Sequence, residues 1–99
     1  MAVLGSLDTE QLTVSTTPVS LSQYMANGLK SMGAEITVQD EAILWTIVSG
    51  VDPATDGHRT EAGSVISLIT SQQVKYFRAV RADAADATIV ATHGSDYTR

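Results

Sequence analysis

His58 and His93 are the only imidazoles in a chain that has no cysteine. That absence removes thiol catalysis, disulfide frameworks and Cys-based zinc sites together. His58 shares a loop with Asp52 and Asp56, and the three could in principle gather around a cation. Their spacing does not follow the ligand alternation of an EF-hand loop, which ends in Glu. Neither histidine belongs to a His-Glu-x-x-His motif. A solvated turn in which Asp52 and Asp56 hydrogen-bond their own backbone accounts for the same residues. Serines are plentiful, yet there is no Gly-x-Ser-x-Gly elbow, and a Ser-His-Asp arrangement does not follow from abundance. Asp40 and Glu41 would act as a glycosidase pair only if set across a groove, and they read more simply as a charged turn. No glycine-rich nucleotide fingerprint or Walker pattern occurs. With no nucleophile, base and orienting group legible as a set, the expectation is a non-enzyme without catalytic residues, cofactor or metal.

Binding chemistry is constrained by charge. Eleven acidic residues against six basic ones give a net charge of −5 over 99 residues. The nearest approach to a basic patch is Lys75, Arg78 and Arg81. In a strand Lys75 and Arg81 share one face and Arg78 points the other way, so no continuous stripe forms. Phosphate recognition needs concentrated Lys and Arg, and nucleic acid is not an expected partner. No apolar run approaches the ~20 residues of a membrane span, and the first residues lack the basic start and apolar stretch of a signal peptide. An aqueous compartment without a membrane partner is expected. A sugar-binding module would use exposed aromatic platforms, whereas Trp45 and Phe77 sit among Ile and Val and read as core anchors.

The elements that must position these residues are mostly strands. A chain of this length buries roughly two-thirds of its unfolded surface, enough for one core. Residues 1–10 scatter Val3, Leu4 and Leu7 around Gly5 and read as an N-terminal arm. Residues 11–17 are hydroxyl-rich with high β propensity and stop at Pro18, which suggests an edge strand. Over 21–32, Leu21, Tyr24, Met25, Leu29 and Met32 follow helical spacing, but Asn27 and Gly28 weaken it, so one short helix or a structured loop fits there equally well. Residues 34–39 and 43–48 alternate or run apolar on either side of Asp40-Glu41, a hairpin pattern. Residues 49–57 form the clearest loop, with Asp52-Pro53 starting a turn and Asp56-Gly57 supplying a residue tolerant of positive φ, and 58–62 continue it. Strands follow at 64–69, 74–81 and 87–93, with a mobile tail over 94–99. Six strands at spacings near ten residues predict an all-β antiparallel sandwich or jelly-roll-like domain over 11–93.

One stretch carries a resemblance. Ile43-Leu44-Trp45-Thr46, then Gly50-Val51-Asp52-Pro53-Ala54-Thr55-Asp56-Gly57-His58, then Glu61-Ala62-Gly63-Ser64-Val65-Ile66, then Phe77-Arg78-Ala79-Val80-Arg81 and Ala87-Thr88-Ile89-Val90 resemble the small β-sandwich proteins of tailed-bacteriophage virions. In those proteins an aromatic-bearing strand is followed by a Pro-containing loop ending in Gly and later by a Phe-Arg-Ala-Ile-Arg-like strand. Here Ser64 stands where an acid is commoner. The scaffold positions carried over are Trp45, Pro53, Gly57, Gly63 and Phe77. The resemblance implies a virion component assembled in the host cytoplasm: a head decoration or cement protein with the major capsid protein as partner, or a tail or head-tail connector piece. It also favours a trimer.

Association is expected from the residues as well. Leu44 and Val48 oppose Ile43, Trp45 and Ile47 across one strand, and Tyr76 and Val80 oppose Phe77 and Ala79 across another. A two-layer sandwich leaves one face of each sheet in water, so a second apolar face needs another cover. The side chains of Val3, Leu4 and Leu7, or a second copy of the chain, could supply it, which makes these residues with Leu44, Val48, Tyr76 and Val80 the candidate protein interface of a homo-oligomer.

Overall fold

The computed structural model describes residues 3–21, 25–26, 29–30 and 32–97. Strand β1 (Val3–Val14) opens the chain, and β2 (Val19–Ser20), β3 (Met25–Ala26), β4 (Leu29–Lys30), β5 (Gly33–Val38) and β6 (Ile43–Thr46) follow. A short helix α1 (Pro53–Asp56) precedes β7 (His58–Thr60) and β8 (Val65–Leu68), and helix α2 (Ser71–Tyr76) precedes β9 (Arg78–Arg81) and β10 (Ala87–Tyr97). One antiparallel sheet has the order β1-β10-β5-β8 and the other β2-β9-β6-β7, while β3 and β4 pair by themselves. The architecture is therefore all-β and antiparallel, with two four-stranded sheets facing each other.

A period of two explains the packing. In the first sheet Val14, Ala87, Ile89, Ala91, Ala34, Ile36, Val38, Ile66 and Leu68 point inward and are buried, while their neighbours in sequence face out. From the second sheet come Ile43 and Ala79, with Phe77 and Val74, and the partly buried Val19, Trp45 and Ile47 pack onto the same cluster. Large and small side chains alternate across the strands. Ala79 stands in register between Val19 and Trp45, which leaves room for the Phe77 and Trp45 rings to stack at 6.0 Å.

Several expectations need correction. Residues 3–10 are not an arm apart from the framework: they pair with β10 from Val3↔Tyr97 onward, and a bulge between Ser6 and Asp8 shifts the register. The tail expected to be mobile likewise continues β10 as far as Tyr97. Because β5 pairs with β10 only from Ile89 to Gly94, the ends of β1 and β10 run on as a two-stranded ribbon. The segment expected to hold a helix carries instead β3 and β4, paired Met25↔Lys30 and Ala26↔Leu29 on either side of Asn27-Gly28. Tyr24, Asn27 and Gly28 lie outside the described residues.

No hairpin joins β5 to β6. The two lie in different sheets, because the turn between them is held by β10: the Gln39 N–H donates to the Thr88 carbonyl at 2.9 Å and the Thr88 N–H to Asp40 Oδ1 at 2.8 Å. Val74 and Tyr76 belong to a helix and not to a strand. Thr70 Oγ1 accepts the Gln73 N–H at 3.1 Å while Gln73 Oε1 accepts the Ile69 N–H at 2.7 Å, a reciprocal cap written in the sequence as Thr-x-x-Gln. In the long loop Asp52 caps α1 by accepting the Ala54 N–H at 2.9 Å, and His58 starts a strand that pairs with Trp45.

Gly57 is required for space and not for positive φ. Its φ is −82°, and a Cβ there would lie 2.3 Å from the Pro53 carbonyl oxygen. Gly63, at φ +88°, has open space around it. Gly57→Ala is therefore expected to destabilise more than Gly63→Ala, where only left-handed strain of about 1–2 kcal/mol applies. Urea denaturation of the two variants checks the order. The fully buried Phe77 should lose about 3–5 kcal/mol on truncation to Ala in the same assay.

Candidate functional site

The residues singled out by the sequence do not converge on one place. Asp52 is engaged at the helix cap, and Asp56 Oδ2 lies 3.5 Å from Thr55 Oγ1. The His58 ring lies 5.2 Å from that of Trp45. Among the described residues no group of three or more His, Asp or Glu side chains is placed to hold a metal ion. The Trp45 indole N–H donates to Thr60 Oγ1 at 2.8 Å, and its ring is flanked by Phe77 and His58. A sugar would have to displace one of those rings to stack on it.

The expected apolar interface is also dispersed. Val80 is 2% exposed and buried, but outside the cluster between the sheets, as is Ala42. It shares the outer face of the second sheet with its register partner Leu44, which is half-buried, and with Thr46 and Arg78. Helix α1 packs against β6 and β9, with Pro53 buried, and Arg78 Nη2 donates to the Val51 carbonyl at 2.6 Å, so the loop 49–57 lies over this face. The cover that the second apolar face needs comes from within the chain. Val48 is exposed, Tyr76 is half-buried, and the side chains of Val3, Leu4 and Leu7 lie outside the described part of the structure.

The first sheet has a different outer face. Across it run Thr9, Thr92, Glu35 and Ser67 in one register row and Gln11, Val90, Thr37 and Val65 in the next, with Thr13 and Thr88 beyond. Thr9 and Thr92 bring their hydroxyls within 3.3 Å. Glu35 is the only charged residue in these rows, although the chain is strongly acidic. The other acids with described side chains sit in turns, at helix ends or, for Glu10, on the inner face. β8 forms one edge of this surface, with Val65 58% and Ile69 74% exposed. A hydroxyl-bearing sheet face with a single carboxylate can meet another protein while stranding little charge.

One group was missed by sequence reasoning. His93 is fully buried, and its Nε2 lies 2.7 Å from Oε2 of Glu10, whose side chain is only 8% exposed. The pair ties β1 to β10 on the inner face. Its signal is the parity that runs Ala87, Ile89, Ala91, His93 on one strand and Val14, Leu12, Glu10 on the other; reading residues 1–10 as an arm hides the second half. On the exterior, Arg59 clamps Asp83 with two hydrogen bonds of 3.1 and 3.0 Å and holds that carboxyl below its usual range.

No protein-family model matches the chain, and no match is found among the curated proteins or the solved structures.

Glu10→Ala takes the carboxyl from His93 Nε2 and is expected to cost about 1–3 kcal/mol, as for a buried polar group that loses a hydrogen-bond partner. In a double-mutant cycle with His93→Ala, the two losses should fall short of additivity by about 0.5–3 kcal/mol. Strict additivity in chemical denaturation would show that the pair does not act as a unit.

Proposed function

We propose that this chain is a non-enzymatic structural protein of a tailed-phage virion, a decoration or cement subunit that seats on the outside of the head. The observation that carries the reading is the outer face of the β1-β10-β5-β8 sheet. On a chain of net charge −5 the rows from Thr9 to Thr13 hold a single carboxylate, Glu35, so another protein can cover them while meeting one acid. Support also comes from the resemblance: Trp45 and Phe77 stack on the core, Pro53 and Gly57 bound the helix that covers the second sheet, and Gly63 makes the turn before β8. The partners on this reading are the major capsid protein and further copies of the chain. Identical chains close most often into cyclic assemblies, and the resemblance to decoration proteins favours a trimer. A stable contact of this kind buries roughly 800 Å² per partner.

Differential sedimentation tests the reading, with purified chain mixed with separated heads and tails of the phage whose genome carries the gene. The chain is expected to pellet with heads, and light scattering is expected to report an oligomer. Val90→Lys together with Thr92→Asp should weaken head binding at least about tenfold, a change of ~1.4 kcal/mol, with the melting temperature held within a few degrees. Pelleting with tails alone would assign the chain to the tail or connector. A monomer that pellets with neither would overturn the virion reading.

A further inference from the structure

We infer that the edge of the second sheet carries a docking channel for an extended, acidic segment of a partner protein, with Lys75 and Arg78 receiving its carboxylates. The inference stands apart from the virion reading, since it rests on a different surface and holds for any partner. Four basic residues have described side chains: Arg59, Lys75, Arg78 and Arg81. Two are matched by carboxylates, Arg59 by Asp83 and Glu61, and Arg81 by Asp86 at 2.8 Å. The other two meet none among the described residues. Lys75 Nζ sits 5.5 Å from the centroid of the Tyr76 ring, and Arg78 Nη2 bonds a backbone carbonyl.

These two unmatched cations line the same groove. Ser20, Ser49, Gly50 and Tyr76 complete its wall, which contains hydroxyls and no acid. Gly50 turns the chain at φ +82° within the wall. The Val51 carbonyl fixes one nitrogen of the Arg78 guanidinium, so its remaining N–H groups are held in a planar fork suited to a carboxylate. Arg78 and Gly50 are shared with a second groove that continues past Thr16, Pro18 and Ala54 and includes Asp52, one oxygen of which caps the helix. Together the two adjoining grooves, of about 200 and 340 Å³, have room for more than a single inorganic anion. They follow β2, a two-residue edge strand beside which an extended main chain can lie. The chemistry changes along the channel, from cationic at Lys75 and Arg78 to small and apolar at Pro18 and Ala54. A segment with acids at one end and alanine or proline at the other fits both halves.

The test uses two alanine- and proline-containing heptapeptides, one ending in two glutamates and one with glutamines in their place, titrated into the full chain at low ionic strength. Amide shifts are expected at Ser20, Ser49, Gly50, Tyr76 and Arg78, with the glutamate peptide bound about tenfold tighter than the glutamine peptide. Lys75 is exposed and makes no side-chain hydrogen bond among the described residues, so Lys75→Gln keeps the fold while weakening the glutamate peptide several-fold; Arg78→Gln should weaken it further. Equal affinity for the two peptides, shifts confined to another surface, or a Lys75→Gln variant that binds as the parent does would overturn the proposal. Displacement of the peptide by equimolar inorganic phosphate would also overturn it, by showing a site for small anions only.

Discussion

The antiparallel pairing of β1 with β10 is the constraint on which the rest of the structure hangs. β10 is an inner strand of its sheet, with β1 on one side and β5 on the other, so both neighbours take their register from it. Its backbone also fixes the corner between the two layers, because Thr88 binds Gln39 through its carbonyl and Asp40 through its N–H. Once that corner is set, the chain leaving β5 has to enter the opposite sheet as β6. The buried contact between His93 and Glu10 locks the same two strands from the inside. A one-residue slip would turn Ala87, Ile89 and Ala91 outward and expose the core face of the whole sheet.

The two sheets solve the problem of their outer faces in opposite ways. The first leaves its face open and covers it with threonine, glutamine and serine. The second carries Leu44 and Val80 outward and roofs them with Pro53 and the loop around it. That roof has a further effect at the sheet edge: by bringing the Val51 carbonyl to Arg78, it holds a cation at the margin of the fold and away from the carboxylates that neutralise Arg59 and Arg81. The two surfaces available to partners therefore differ in kind, one a hydroxyl-rich sheet face with a single carboxylate and the other a groove with two cations at one end.

The sandwich class was legible in the sequence because strands with one buried face write a period of two, seen plainly in Ala34, Ile36 and Val38 and in Ala87, Ile89 and Ala91. Sheet membership was not legible. Nothing local in Asp40-Glu41 distinguishes a hairpin from a corner, since the deciding bonds come from Thr88, far along the chain. Helix α2 was written in the Thr70-x-x-Gln73 cap but hidden by the β-rich run that follows it. The Asn27-Gly28 pair was visible and outvoted by helical spacing. Glu10 and the groove around Arg78 were out of reach for another reason: each depends on residues distant in sequence, Glu10 with His93 and Arg78 with Ser20 and Gly50, which only the fold brings together.

The strand order also has a consequence for biosynthesis. Thr9 and Thr92, which touch in the finished sheet, are separated by 83 positions. At cellular rates of about 5–20 residues per second, β1 leaves the ribosome roughly 4–17 s before its partner exists. During that interval its backbone edge is open, and an open edge is a template for pairing with other nascent chains. The composition of β1 suits the wait, because Asp8, Glu10 and the polar series Thr9, Gln11 and Thr13 keep the early strand hydrated and mutually repelling between copies. The polar residues of β1 thus lie on both of its faces in the folded protein, Thr9, Gln11 and Thr13 outside and Glu10 within, and a strand of that composition is a poor template for self-association before its partner exists.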